Sequence, residues 1–222
     1  MKIKTAFKIS MLIDISVLQK AINDCSYIKT IKKSKKDKSS FSYLIDQKLS
    51  QSECIKVGIC FEKIISNIIL CISDVENIKQ KNNIGEKEKD HLFICKENKI
   101  LYYAELKANI NLDTEKSKST SKKCINIVEE LSKKYPDYTI KWCLLSYRYL
   151  ERNDIPTTLL KKYPDINGNI YGINDYFKMF GIEAYFDDEN YKKYINQVVK
   201  EMFKEQHEIE DALSRNINKM KI

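Results

Sequence analysis

Two apolar runs, 91–96 and 100–107, are separated only by Glu97-Asn98-Lys99, and this restricts the chain more than any other feature. Both have strand length and are rich in aliphatic and aromatic residues, so the short polar break predicts a β-hairpin. Strand residues two positions apart share a face. Glu105 and Lys107 therefore point the same way from a strand that otherwise reads Leu101-Tyr102-Tyr103-Ala104. An acid and an ammonium on such a strand are costly unless they are paired or bind something. With Asn98-Lys99 as a two-residue turn, Asp90 faces Lys107 and Leu92 faces Glu105. Facing residues lie about 5 Å apart and diagonal ones about 7–8 Å, so Asp90, Glu105 and Lys107 converge on one spot. A three-residue turn would move Asp90 to the other face, so the convergence depends on register.

Two carboxylates on a rigid strand pair suit a hard divalent cation that keeps several waters and contacts a phosphate. Such an ion activates water and offsets charge on the phosphate. A neighbouring lysine can orient the water or stabilise the pentavalent phosphate.

Around the hairpin the chain reads as an alternation of helices and strands with no internal repeat. Residues 10–24 predict a helix, 29–40 a lysine- and serine-rich loop, and 41–50 a short helix. The strongest helix signal runs from about 53 to 78, where Phe61, Ile64, Ile65, Ile68, Ile69 and Ile72 form one apolar stripe. Residues 79–89 read as a polar loop. Beyond the hairpin, Asp113 and Thr114 can cap a helix reaching about Lys134, with Ile125, Ile127, Val128 and Leu131 on its buried side. The run 139–147 suits a strand in the middle of a sheet covered on both faces. After Arg152 the chain looks irregular, with helical patterns at 174–180 and 190–220. The expected fold is α/β: a mixed central β-sheet with an antiparallel hairpin, flanked by helices in a single domain.

Lys and Arg outnumber Asp and Glu by 39 to 31, a net charge of +8 that favours a polyanionic partner. An AT-rich coding bias explains the surplus equally well, because Lys, Ile and Asn abound and only Arg148, Arg152 and Arg215 are arginines. The seven cysteines include no Cys-x-x-Cys pair, and His91 and His207 are the only histidines. Neither a structural zinc site nor a disulfide framework is expected. Cysteines within apolar runs behave as small buried hydrophobes, which points to a reducing, cytoplasmic location. The first 18 residues resemble a signal peptide only faintly, since Lys8 and Asp14 interrupt them. With no apolar stretch of about 18 residues or more, no membrane span is expected.

Asp90, then fourteen residues, then Glu105-Leu106-Lys107 resembles the D…(D/E)-x-K motif of the PD-(D/E)xK nucleases, above all the small type II restriction endonucleases. The family's proline is replaced by Lys89. The resemblance covers about residues 53–147, leaving 1–52 and 148–222 as DNA-contacting or dimerisation elements. It implies a restriction-endonuclease-like fold and Mg²⁺-dependent hydrolysis of double-stranded DNA at a short sequence. Asp90 and Glu105 would be metal ligands, Leu106 would offer its backbone carbonyl, and Lys107 would be the catalytic lysine. In that family the preceding helix often adds an acid. Glu62 is the candidate here, and a solvated helix flank accounts for it equally well. The resemblance also implies a homodimer on a palindromic site and a cognate DNA methyltransferase in the same host. Two alternatives stay open: a repair or junction-resolving nuclease of the same fold, and a basic DNA-binding protein without catalysis.

Lys116, Lys118, Lys122 and Lys123 flank the start of the helix after the hairpin and are candidates for DNA contacts. Asn109 and Asn111, close to Lys107, are candidates for reading bases. Tyr147, Tyr149, Arg148 and Arg152 fit packing or a backbone clamp. His91, on the opposite face from Asp90, is given no chemistry.

Overall fold

The computed structural model describes Lys20 and residues 51–79, 88–182, 186–187 and 189–191. The elements expected at 29–40 and 41–50, nearly all of those at 10–24 and 190–220, and most of the loop at 79–89 lie outside the described residues. The chain divides into two compact units, Met1–Ile13 with Ile68–Asp187, and Asp14–Asn67 with Asp188–Ile222.

Helix α1, Gln51–Ile72, crosses the boundary between the units. Its buried residues include Phe61, Ile64, Ile65, Ile68 and Ile69, which belong to the stripe expected from the sequence. The helix stops several residues earlier than its periodicity suggests. Both the amide and the hydroxyl of Ser73 donate to the Ile69 carbonyl, at 2.9 and 2.6 Å, and close the last turn. The chain then extends into a two-residue strand, β1, Glu76–Asn77.

The sheet continues with β2 (His91–Cys95), β3 (Ile100–Lys107), β4 (Thr139–Ser146) and β5 (Ile170–Tyr171), and its spatial order follows the sequence. β2 runs antiparallel to both of its neighbours, β1 and β3, whereas β3, β4 and β5 run parallel. A parallel neighbour requires a crossover, and helix α2, Thr114–Lys134, supplies it between β3 and β4. Asp113 caps that helix as expected, its carboxylate accepting the Lys116 amide at 2.8 Å.

Cys124, Ile127 and Leu131 of α2 pack on Leu92, Ile94, Leu101 and Tyr103. The opposite face of the sheet carries an aromatic layer, in which Phe180 lies 4.2 Å from Tyr102 and 5.7 Å from Phe93, centroid to centroid. Phe180 directly follows helix α4, Ile173–Met179. Coverage on both sides explains why β2 is buried at every position.

The stretch after β4, irregular by sequence, holds short elements: 3-10 turns at Arg152–Asp154 and Pro164–Asn169, helix α3 at Thr157–Leu160, and β5. Arg152 fastens them. Its guanidinium donates to the Asn167 carbonyl, to Asn167 Oδ1 at 2.7 Å and to the Ile170 carbonyl at 2.9 Å. Gly172 sits so close to the loop after β4 that a Cβ would lie 2.5 Å from the Leu150 carbonyl. Among the described residues no helix is long and apolar enough to cross a membrane. Cys60, Cys71, Cys95, Cys124 and Cys143 form no disulfide, and all are buried except Cys71.

The hairpin register differs from the expected one. Cys95 pairs with Ile100, so the connection is the four-residue turn Lys96–Lys99, with Lys99 at φ 49°. Leu92 consequently faces Tyr103 rather than Glu105. The last pair is His91 with Ala104, and one step further Asp90 comes level with Glu105 instead of Lys107. The slip amounts to two residues, which returns every side chain to its expected face.

Candidate active site at the mouth of the β2–β3 hairpin

β3 ends with Glu105 and Lys107 on the face covered by α2, and with Leu106 buried on the other. Glu105 is 2% exposed, yet both of its oxygens are engaged. Lys107 Nζ donates to Oε1 at 2.8 Å and Lys123 Nζ, from α2, donates to Oε2 at 2.6 Å. The two lysine side chains remain 34% and 26% accessible, so the ammonium groups bridge the buried carboxylate to solvent.

Asp90 approaches from the chain entering β2. It is half-buried, and its Oδ2 accepts the Leu106 amide at 2.7 Å. This bond ties the first acid to the peptide that follows the second. In an extended strand the amide and carbonyl of one residue point toward the same neighbour, so the Leu106 carbonyl is also turned to the Asp90 side. Burial pulls the Lys107 pKa down, but the charge and hydrogen bond of Glu105 and the field of Asp90 outweigh it. The ammonium ends above the ordinary lysine value of 10.5. Cys124, close by on α2, is pushed up to about 12 by burial and by the Glu105 charge, and so stays a neutral thiol.

The formal charges of Asp90, Glu105, Lys107 and Lys123 cancel. Two carboxylates and one carbonyl are oxygen donors that suit Mg²⁺, which tolerates few protein ligands and retains water. Among the described residues no cluster of three or more His, Cys, Asp or Glu side chains is placed to hold a metal, so an ion here would rest on these two carboxylates, the carbonyl and water. The donor set therefore fits a hard divalent ion bound partly by water and phosphate.

Of the other residues singled out by sequence, Lys123 is in the site itself. Lys116 is exposed and pairs with Asp113 at 3.2 Å. Lys118 and Lys122 are exposed on the same helix. Asn109 and Asn111 serve their own loop: Asn109 Oδ1 accepts the Asn111 amide at 2.8 Å, and Asn111 Oδ1 accepts Lys162 Nζ. Glu62 is half-buried on α1 and belongs to the other compact unit. Arg148 is exposed, while Arg152 is the fastener described above. His91 is buried behind the site, with Nδ1 2.8 Å from the Tyr176 hydroxyl.

One further residue was not foreseen from the sequence. Ser146 is the register partner of Lys107 on β4, and its fully buried hydroxyl has no hydrogen-bond partner. A serine closing an apolar strand carries no signal by itself, and only the parallel pairing with β3 brings it beside the lysine.

No family model matches the chain, and no curated protein or solved structure matches it significantly.

Proposed function

We propose that this chain is a Mg²⁺-dependent nuclease of the type II restriction endonuclease kind, hydrolysing DNA phosphodiester bonds at a short specific sequence. One observation carries the reading. Glu105, a nearly inaccessible carboxylate, lies between two ammonium groups, with a second carboxylate docked on the adjoining peptide. A structural ion pair needs no second acid on the adjoining peptide, whereas metal-assisted phosphoryl chemistry uses both acids and a lysine beside them. The sheet supports the finer reading of a restriction-endonuclease-like fold, since an antiparallel hairpin followed by a helical crossover to a parallel strand is the order the motif leads one to expect.

Asp90, Glu105 and the Leu106 carbonyl would hold the Mg²⁺, which supplies water activation and charge neutralisation at the phosphate when bound. Lys107 acts as a charged donor. Placed beside Glu105, it would stabilise negative charge on the phosphate. The rigid β3 strand holds the acid and the lysine in fixed relation. The exposed Lys118 and Lys122, on the helix that also bears Lys123, offer positive charge to the DNA backbone. Cutting both strands at a palindrome calls for a homodimer, located in the cytoplasm beside a protecting methyltransferase.

Incubation of the purified protein with phage DNA and Mg²⁺, followed by mapping of fragment ends, tests the proposal. Discrete fragments that vanish with EDTA and with Glu105→Ala are expected. Cleavage only at branched or damaged DNA would instead indicate a repair or junction-resolving enzyme. Binding without cleavage under any divalent ion would indicate a DNA-binding protein.

A further inference from the structure

We propose that Lys123 is a resident counter-ion for Glu105, occupying the carboxylate oxygen that the divalent metal must take and leaving it when the metal binds. The inference rests on the nuclease reading and adds to it a role for a residue outside the D…E-x-K pattern.

Glu105 has two oxygens, and each already accepts an ammonium hydrogen, from Lys107 at 2.8 Å and from Lys123 at 2.6 Å. A carboxylate that is 2% exposed has no water to fall back on, so its charge must be met by a cation in the metal-free protein. The site is formally neutral in that condition. Adding a divalent ion while both lysines stay would leave a surplus of two positive charges in a largely buried space, which is strongly unfavourable. One ammonium must therefore withdraw, and the geometry distinguishes the two.

Lys107 lies on the same strand as Glu105, within the fields of both Glu105 and Asp90. Lys123 reaches in from α2, and Glu105 is its bonded partner. Rotation of its long, flexible stem toward solvent, or toward an incoming phosphate, breaks that one contact and moves no backbone. The departing charge offsets half of the arriving one.

Calorimetric titration of Mn²⁺ into the full chain without DNA provides a readout independent of cleavage. Lys123→Met keeps the length of the side chain and removes its charge, and is expected to bind Mn²⁺ on the order of tenfold more tightly than the native protein. Lys123→Arg restores the charge and is expected to return affinity to the native level. Lys123→Gln, a polar neutral variant, gives the same comparison should the methionine variant fold poorly. Unchanged affinity in the neutral variants, while Glu105→Gln weakens binding, would overturn the counter-ion role and leave the metal site intact. Mn²⁺ binding that is indifferent to Glu105→Gln would overturn both.

Discussion

The carboxylate of Asp90 accepts the Leu106 amide at 2.7 Å, so the first acid of the site is anchored to the peptide carrying the second. This bond separates two functions that a single substitution usually mixes. Asp90→Asn retains an oxygen acceptor for the amide and removes the charge. Its stability in urea should stay within about 1 kcal/mol of native, while cleavage falls by roughly a hundredfold or more. Asp90→Ala should lose both. Equal loss of stability in the two variants would show that the charge, and not the acceptor, holds the strand entry.

Glu105 answers to two partners, and their removal should be non-additive. Lys107→Met or Lys123→Met alone leaves one ammonium on the carboxylate, and each should cost about 1 kcal/mol given the accessibility of the lysines. Together they strand a buried charge, a situation that typically costs about 3–5 kcal/mol. A double-mutant cycle by urea denaturation should therefore show a coupling of roughly 1 kcal/mol or more. Simple additivity would mean that Glu105 finds water.

The raised pKa of Lys107 sets the sign of an alkaline effect. A lysine whose folded value exceeds its unfolded one contributes stability below the ordinary 10.5, and that contribution is lost as pH climbs through the higher folded value. Thermal melts should be insensitive to this residue from neutral pH to about 10. Native protein and Lys107→Met should converge only in stronger alkali. A difference that shrinks between pH 6 and 8 would contradict the assignment.

Ser146 presents a buried hydroxyl with no partner beside Lys107. Ser146→Ala removes the unmet group at little loss of volume, and should raise stability by roughly 1 kcal/mol. Cleavage should fall if the hydroxyl orients Lys107 during turnover, so a variant that is more stable and less active is the expected pairing.

Gly172 should tolerate no side chain. The Cβ of alanine would meet the Leu150 carbonyl at 2.5 Å, and backbone cannot step aside as a flexible side chain can. Gly172→Ala is expected to lose about 2–3 kcal/mol in chemical denaturation. Gly168 has open space at the same test and should accept alanine with little change.

The strands and the crossover helix were legible because their signals are local. Period and length mark β3 and β4, and Asp113 marks the start of α2. The turn was not legible, because Asn98-Lys99 reads as a two-residue connection, whereas Lys99 at a positive φ closes a loop of four. Alternation has a period of two, so the slip still left both acids and the lysine on their expected face. Nothing along the chain could couple Lys123 to Glu105, because their contact depends on how α2 lies across the sheet. β5 is too short to show a period, and its place is set by Arg152 and Gly172 through long-range contacts.

The strand order puts β3 between β2, which pairs with it from Ile100 to Ala104, and β4, which pairs with it to Lys107, while the outermost strands, β1 and β5, are two residues each. The stretch of β3 that is paired on both sides is therefore the part most shielded from local opening, and it ends directly before Glu105. Amide exchange should accordingly be slowest along 101–104, and fraying at the periphery should leave the base of the site in place until the whole sheet melts.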